Sequence, residues 1–353
     1  MNKKYKINQF DPVTGEEETL YKLFFCLDNL FLEKEIDEPK PSNDFRMKNF
    51  RTRSQLSDES WWLVWLEEQI VGYGVLNIRN KKSPTFEDSK HVASIHMRIE
   101  KNHRRKGIGL ELMKLIIAKS KEYDFVTTLQ SSTKYKSGFN FCEKLKGVLA
   151  MEGAENRLRF NEVDWDLMNE WRKQGHIKGE KEGRTLQWFD TCPEDIVEEY
   201  CKVYTETMNQ QPFGELEHKP VITPDSRREQ EKQYAKTNCN WHTVITCEND
   251  GTISGLTDFT YFSGMPYRIY QELTGVLKQY RGNGLGKWLK AEMLHFMHRT
   301  YPEAKYVRTG NANANAPMLS INTRMGFKLH EVEKVYKFKV VNLEKRIAEI
   351  ESK

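Results

Sequence analysis

The sequence predicts an α/β (α+β) chain built as two tandem domains of one fold. Three observations carry this. The motif Arg-x-x-Gly-x-Gly occurs twice, at 104–109 and 281–286, and the two arginines stand 177 residues apart in a chain of 353. Each copy follows a β-type run and opens a helical one. Each is also preceded by the pattern of a β-hairpin. A length of 353 residues exceeds two typical domains of about 150, so either half can bury a core of its own.

Composition excludes several classes. With 38% hydrophobic and 12% aromatic residues the chain is too apolar for intrinsic disorder. A net charge of +4 gives no push toward nucleic acid or an anionic membrane surface. The longest apolar runs, such as Trp61 to Leu66, fall far short of the ~20 residues of a membrane helix. The opening Met1-Asn2-Lys3-Lys4-Tyr5 lacks the apolar core of a signal peptide, so a cytoplasmic protein is expected. The six cysteines contain no Cys-x-x-Cys pair, which argues against a zinc site or redox dithiol and for reduced, buried thiols. No metal is expected.

In the first half, Trp61–Leu66 and Ile70–Leu76 around a Glu-Glu turn read as a hairpin, and Val92–Ile99 reads as the next strand. After the motif, Ile108, Leu112, Leu115, Ile116 and Lys119 recur at helical spacing. The second half repeats the plan: Trp241–Cys247, the turn Asn249-Asp250-Gly251, then Thr252–Leu256, with a strand at Ile269–Leu277. Leu285, Leu289, Met293, Phe296 and Met297 supply its helical face. The Gly- and charge-rich stretch 173–184 reads as a linker. The expected division is therefore 1–172, a linker at 173–184, 185–342, and a helical tail at 343–353.

Glycines between a strand and a helix let backbone N–H groups approach a ligand, and the helix N-terminus favours an anion. An arginine at the mouth adds charge-assisted bonds. The expected ligand is a phosphate or pyrophosphate. Neither copy has the Gly-x-x-x-x-Gly-Lys-Ser/Thr of a nucleotide P-loop, and neither has the glycine spacing of a dinucleotide fingerprint.

At this point the residues resemble a family. The run Val276-Leu277-Lys278-Gln279-Tyr280-Arg281-Gly282-Asn283-Gly284-Leu285-Gly286 looks like the coenzyme A pyrophosphate loop of the GNAT acyltransferases. Asn315, eleven residues before Gly326-Phe327, matches that family's second signature. The segments Thr274-Gly275-Val276 and Thr309-Gly310-Asn311-Ala312 are similar to the tandem-domain branch that includes mycothiol synthase. The resemblance covers both halves and is stronger in the second. It implies, for each domain, a mixed, mostly antiparallel twisted sheet flanked by helices, with a splayed central strand pair. It implies acetyl-CoA as co-substrate, contacted by Val276, Leu277, Arg281, Gly282, Asn283, Gly284, Leu285, Gly286, Asn315 and Met318. In the first half the corresponding loop is Arg104, Arg105, Lys106, Gly107, Ile108 and Gly109.

The implied chemistry is acetyl transfer to a primary amine of a small molecule, without a covalent enzyme intermediate. An amine of pKa ~10.4 costs about 4.6 kcal/mol to free at pH 7, so a base matters more than an acid for a thiolate of pKa ~8.5. Strand alternation places Tyr270, Glu272 and Thr274 on one face. The family's usual carboxylate position, eleven before the loop arginine, is Tyr270 here, so Glu272 is the expected base, with Tyr270 and Thr274 beside the substrate. The family's oxyanion donor maps to the backbone N–H of Val276, and its frequent tyrosine acid maps to Asn322. In the first half Ile95 and Ala93 replace Glu272 and Tyr270, and Lys136 stands at the asparagine position, so its catalytic pattern is degenerate. His96 is a weaker candidate base there. Glu215, in the loop 210–220, suits a cationic amine. Two alternatives stay open: a non-catalytic acyl-CoA sensor, and acylation of a protein or peptide amine. A monomer or homodimer with no nucleic-acid partner is expected.

Overall fold

Tyr73, Val75 and Leu76 of one strand are buried beside Trp62, Leu63 and Val64 of the next, and this apolar pairing fixes the register of the first hairpin. The computed structural model describes residues 4–35, 38–211, 220–312 and 316–352. In chain order the elements are β1 (Tyr5–Phe10), α1 (Glu17–Leu32), α2 (Asn43–Arg51), β2 (Ser57–Leu66), β3 (Gln69–Arg79), α3 (Phe86–Ser89), β4 (Val92–Ile99), α4 (Ile108–Ser120), β5 (Thr128–Thr133) and α5 (Lys136–Lys144). There follow β6 (Val148–Arg159), α6 (Trp165–Glu182), β7 (Thr185–Phe189), α7 (Val197–Asn209), α8 (Pro224–Lys236), β8 (Cys239–Cys247), β9 (Ile253–Phe262) and β10 (Arg268–Val276). The chain ends with α9 (Leu285–Thr300), β11 (Tyr306–Ala312), α10 (Ala316–Met325), β12 (Lys328–Lys339) and α11 (Val340–Glu351).

Contacts divide the chain into two compact units: residues 1–151 with 333–353, and residues 152–332. In the first, the sheet order is β1-β2-β3-β4-β5, completed by the end of β12 pairing antiparallel to β5. In the second it is β7-β8-β9-β10-β11, completed by the end of β6 pairing antiparallel to β11. Each sheet has one parallel pair, β4–β5 or β10–β11, and is otherwise antiparallel. The strand that follows each half in sequence therefore completes the sheet of the other. This differs from the expected division at 1–172 and 185–342, because register and burial, which act through space, choose a strand's neighbour.

In the first unit, α4, α5 and α11 cover one sheet face around Ile108, Leu112, Ile116 and Leu129, while α1 covers the other around Leu20, Leu23 and Phe24. The expected tail is α11, and its Val340, Leu343 and Ile347 are buried in that first core. In the second unit, α6 and α9 pack around Phe259, Ile269, Leu289 and Met293, and α7 packs around Tyr200, Ile245 and Leu273. Each such buried side chain contributes about 1.5–3 kcal/mol of transfer free energy.

The expected linker is helix. Residues 173–182 continue α6, which ends at Gly183 with φ +69°, a left-handed C-terminal stop. Gly175 and Gly179 read as linker residues because they carry no apolar periodicity. They are small because Trp288 of α9 lies against them: a Cβ on Gly175 would stand 2.1 Å from the indole. Gly175→Val is accordingly expected to cost about 1–3 kcal/mol through overpacking. A lowered unfolding midpoint checks this; an unchanged midpoint would restore the linker assignment.

Candidate active site

The site begins where two parallel strands part. β10 and β11 pair only through Arg268–Tyr306, Ile269–Val307 and Tyr270–Arg308. Beyond Tyr270 the two strands diverge. On the other side β10 stays with β9, but the register shifts between Gln271 and Thr274: three steps on β10 span the two from Phe259 to Thr257. One extra residue is therefore accommodated on β10, a β-bulge. Past it the ladder resumes with Val276 opposite Gly255, and the Leu277 N–H donates to the Ser254 carbonyl at 3.0 Å. Hydrogen-bonded and non-bonded pairs alternate in an antiparallel ladder. Val276 is thus a non-bonded pair, and its N–H points away from β9, toward the opening between β10 and β11. This is the direction an oxyanion donor requires.

The bulge also re-aims side chains, which corrects the alternation expected from sequence. Glu272 accepts a hydrogen bond from the Thr260 hydroxyl at 2.8 Å, and Thr260 pairs with Tyr270. Thr274 instead faces Gln271 and Thr257: its hydroxyl lies 2.7 Å from that of Thr257 and 3.4 Å from the Gln271 amide nitrogen. Leu273 packs with Tyr200, Val203 and Tyr204 of α7, and a Cβ on Gly275 would collide with Thr207 of α7. Thr274 is therefore not on the Glu272 face.

Glu272 is an exposed residue, yet the surrounding protein desolvates its carboxyl. That desolvation raises its pKa, against the Thr260 hydrogen bond and the positive charge of Arg308. Arg308 lies over the Tyr270 ring, 4.7 Å from its centroid, and pairs with Glu155 at 2.7 Å. Phe262 meets Tyr270 edge-on at 5.7 Å, and Tyr234 meets Phe262 at 6.1 Å. A carboxylate with a raised pKa thus stands beside aromatic rings next to the opening.

The glycine-rich loop leads from β10 into α9. Gly282 and Gly284 have φ near +81° and +82°, and a Cβ on either would meet open space. Gly284 caps α9, so the N–H groups of Leu285 and Gly286 face outward at a helix N-terminus. Lys178 of α6 donates to the Asn283 carbonyl and side chain at 3.3 and 3.1 Å, adding a cation that sequence reading had assigned to a linker. Arg281, the expected pyrophosphate contact, also bonds within the protein. Its Nε donates to the Val276 carbonyl at 3.3 Å and its guanidinium binds Gln210 at the end of α7, so it braces the strand end. The outward N–H groups, Lys178 and the exposed Arg281 all stand at this loop.

Asn322 lies buried on α10, its carbonyl accepting the Phe327 N–H at 2.9 Å, and Met318 is half-buried on the same helix. Asn315 and Glu215 lie outside the described residues. Sequence reading also missed Asp258 of β9 and Lys290 of α9, both fully buried and both bonded to β10. Burial of a charged type was their only signal, and burial is not legible in one sequence.

The first unit shows the same plan with its opening closed. β4 and β5 pair from Val92–Thr128 to Ile95–Ser131 and then part, while β4 keeps one register with β3 from Ser94 to Ile99. Gly107 has φ +83°, and Arg105 stands in the left-handed region at +63° where the second unit has Gly282. Across the gap, Arg98 bonds the Tyr135 hydroxyl and the Leu30 carbonyl, and the Arg98 and Lys34 cations each lie 4.2 Å from the Tyr135 ring. Arg104 donates to the Ile99 carbonyl at 2.8 Å and forks onto Glu33, which neutralises it. His96 is desolvated and faces Arg98, which pushes its pKa down to about 4, and it bonds Tyr73 at 3.1 Å. The strand gap of this unit is bridged by its own side chains.

Calorimetric titration with acetyl-CoA is expected to give one site per chain. Gly284→Glu should weaken it at least tenfold, about 1.4 kcal/mol, whereas Gly107→Glu should leave it unchanged. Two sites, or a loss through Gly107→Glu, would contradict the asymmetry.

Among the described residues no helix is long and apolar enough to cross a membrane, and no three His, Cys, Asp or Glu side chains are grouped to hold a metal ion. Residues 27–143 match the acetyltransferase (GNAT) family, so the match falls on the first half. A comparison with curated proteins by sequence returned no match. Among solved structures, the chain is similar to a tandem GNAT protein from the clavulanic acid biosynthesis pathway, solved without acetyl-CoA (TM-score 0.74, 17% identity, 95% of this chain and 98% of that one). It is also similar to a GCN5-related N-acetyltransferase from Sphaerobacter thermophilus (TM-score 0.67, 12% identity, 96% and 97%). A third likeness is to the N-myristoyltransferase of Saccharomyces cerevisiae, solved with bound myristoyl-CoA and inhibitors (TM-score 0.54, 10% identity, 96% and 81%). Two splayed sheets, two glycine loops and these likenesses lead to one assignment: the chain has the fold of tandem GNAT proteins, and its residues 27–143 match the acetyltransferase (GNAT) family.

Proposed function

We propose that the second unit transfers acetyl from acetyl-CoA directly to a primary amine of a small molecule, with Glu272 as base. The observation that carries this is the placement of Glu272 and the Val276 N–H on the stretch of β10 that leaves β11. Glu272, directly or through one water, takes the proton of the ammonium. The freed nitrogen attacks the thioester carbonyl, and the oxyanion forms against the Val276 N–H, a contact worth about 2.7–4 kcal/mol in comparable sites. Collapse breaks the C–S bond, the nitrogen gives up its second proton to solvent, and coenzyme A leaves as thiolate, which picks up a proton from solvent in turn. With a thiol pKa near 8.5 this departure needs little acid help, which fits a buried Asn322 at the position of the family's tyrosine.

A base works best when its pKa approaches the working pH, and desolvation moves Glu272 in that direction. Tyr234, Phe262 and Tyr270 form an aromatic wall beside it, against which a small-molecule acceptor would lie. The first unit, with its gap bridged, is read as non-catalytic.

The test is thiol release from acetyl-CoA with lysine, glucosamine and spermidine as probe amines, and with water. Glu272→Gln is expected to lower kcat by about 10²–10⁴-fold with acetyl-CoA affinity intact. Near-normal turnover would remove Glu272 from the mechanism. Acetyl-CoA binding with no thiol release from any acceptor would favour the sensor alternative. The pH dependence has a fixed sign. Glu272 accepts a proton only when ionised, so kcat/KM should fall as pH drops, with a midpoint above the ordinary glutamate value of 4.5.

A further inference from the structure

We infer that Asp258 is a positioning residue for this reaction: its buried carboxylate holds the β10 bulge and so aims Glu272 and the Val276 N–H. The inference rests on the assignment of Glu272 as base. A bulge leaves one residue without a partner in the ladder, and a buried N–H without an acceptor costs about 1–3 kcal/mol. Leu273 is the residue concerned, and its N–H donates to Asp258 Oδ1 at 2.9 Å. Asp258 itself is 0% exposed. Its Oδ2 accepts the Trp241 indole N–H at 2.8 Å and the Tyr204 hydroxyl at 3.2 Å. Every one of these partners is a donor, so the group that fits is an acceptor at both oxygens. An asparagine would turn an NH₂ toward at least one donor.

The anchor is itself held. Arg227 of α8 lies 3.3 Å from the centroid of the Trp241 rings and donates to the Tyr200 hydroxyl at 3.0 Å and to Glu231 at 2.8 Å. From the opposite face, Lys290, 1% exposed, donates to Gln271 Oε1 at 3.1 Å, and the Gln271 amide donates to Thr257 at 2.8 Å. The residues before and after the bulge are thus pinned to α9 and β9, and the bulge residue itself to Asp258. Freed of that last bond, the extra residue has no fixed place along β10. Displacements near 1 Å at a reacting group cost on the order of 10²-fold in rate.

The titratable and charged groups facing Asp258 are Arg227 and Tyr234 of α8, Tyr200 and Tyr204 of α7, and Glu272 of β10. Desolvation and the Glu272 charge push the Asp258 pKa up to about 7, against Arg227 and the bonds from Trp241 and Leu273. The ionised carboxylate bonds Leu273 more strongly.

The experiment compares wild type, Asp258→Asn, Trp241→Phe and Glu272→Gln. It reads acetyl-CoA affinity by calorimetry, and kcat and the pH profile of kcat/KM with the best of the probe acceptors, water included. Asp258→Asn is expected to lower kcat about 10²-fold with acetyl-CoA affinity unchanged, and to lack the ionisation near pH 7 that Asp258 is expected to give the wild-type profile. Trp241→Phe leaves the Leu273 bond and removes one donor from the ionised form, so that ionisation should move upward while the protein stays folded. A role confined to stability would lower the unfolding midpoint and leave kcat and both profiles as in wild type, which would overturn the inference. Should Asp258→Asn fail to fold, an unmoved ionisation in Trp241→Phe overturns it equally. If Glu272→Gln keeps wild-type turnover, the base assignment fails first; if it is inactive while Asp258→Asn behaves as wild type, only the positioning role fails.

Discussion

The parting of β10 from β11 after three paired residues is the constraint on which the rest of the second unit depends. A parallel pair that stayed together would satisfy the Val276 N–H in a ladder and close the opening. Because it parts, that N–H needs another partner, and the strand needs another source of rigidity. The second unit finds rigidity in side chains: Asp258 from β9, Gln271 and Lys290 from the α9 side, and the packing of Leu273 and Gly275 on α7. Burying Asp258 and Lys290 is costly for each as a charge, and both pKa values move to about 7 in response. Such expense in a sheet core fits a segment that must hold its shape without a neighbour.

The two units show what one architecture does with and without those supports. Both have the hairpin, the short parallel pair, the left-handed residues of the loop and the helix that follows. In the first unit β4 runs in unbroken register with β3, and the gap is spanned by Arg98 and Tyr135. The family match covers 27–143, in the half expected to carry the weaker resemblance, and that stretch includes its loop and helix. Retention of that scaffold and retention of the reacting groups are separate properties, and the proposed chemistry lies with the unit that has a carboxylate on its bulged strand.

Much of this was legible in the sequence, and the rest was not for definite reasons. The strand Val92–Ile99 was placed to the residue, and the glycine loops were found because left-handed backbone at a helix start leaves a glycine signature. The bulge left none: one extra residue in a strand changes no composition, so alternation put Thr274 with Glu272 when it lies with Gln271. The glycines of α6 looked like a linker because small residues mark both flexible chain and close packing, and only Trp288 tells them apart. The exchange of β6 and β12 is a choice among spatial neighbours that periodicity cannot express. The bracing role of Arg281 was hidden for the same reason, since Gln210 is 71 residues away.

The most direct test of the account is a crystal structure with acetyl-CoA bound. One molecule per chain is expected, in the second unit. Its pyrophosphate should lie on the N–H groups of 284–286 and its thioester oxygen about 3 Å from the Val276 N–H, with Glu272 facing the carbonyl. The contact between Arg98 and Tyr135 should remain closed. A molecule seated in the first unit with Arg98 and Tyr135 drawn apart, or a thioester far from Val276 and Glu272, would contradict it.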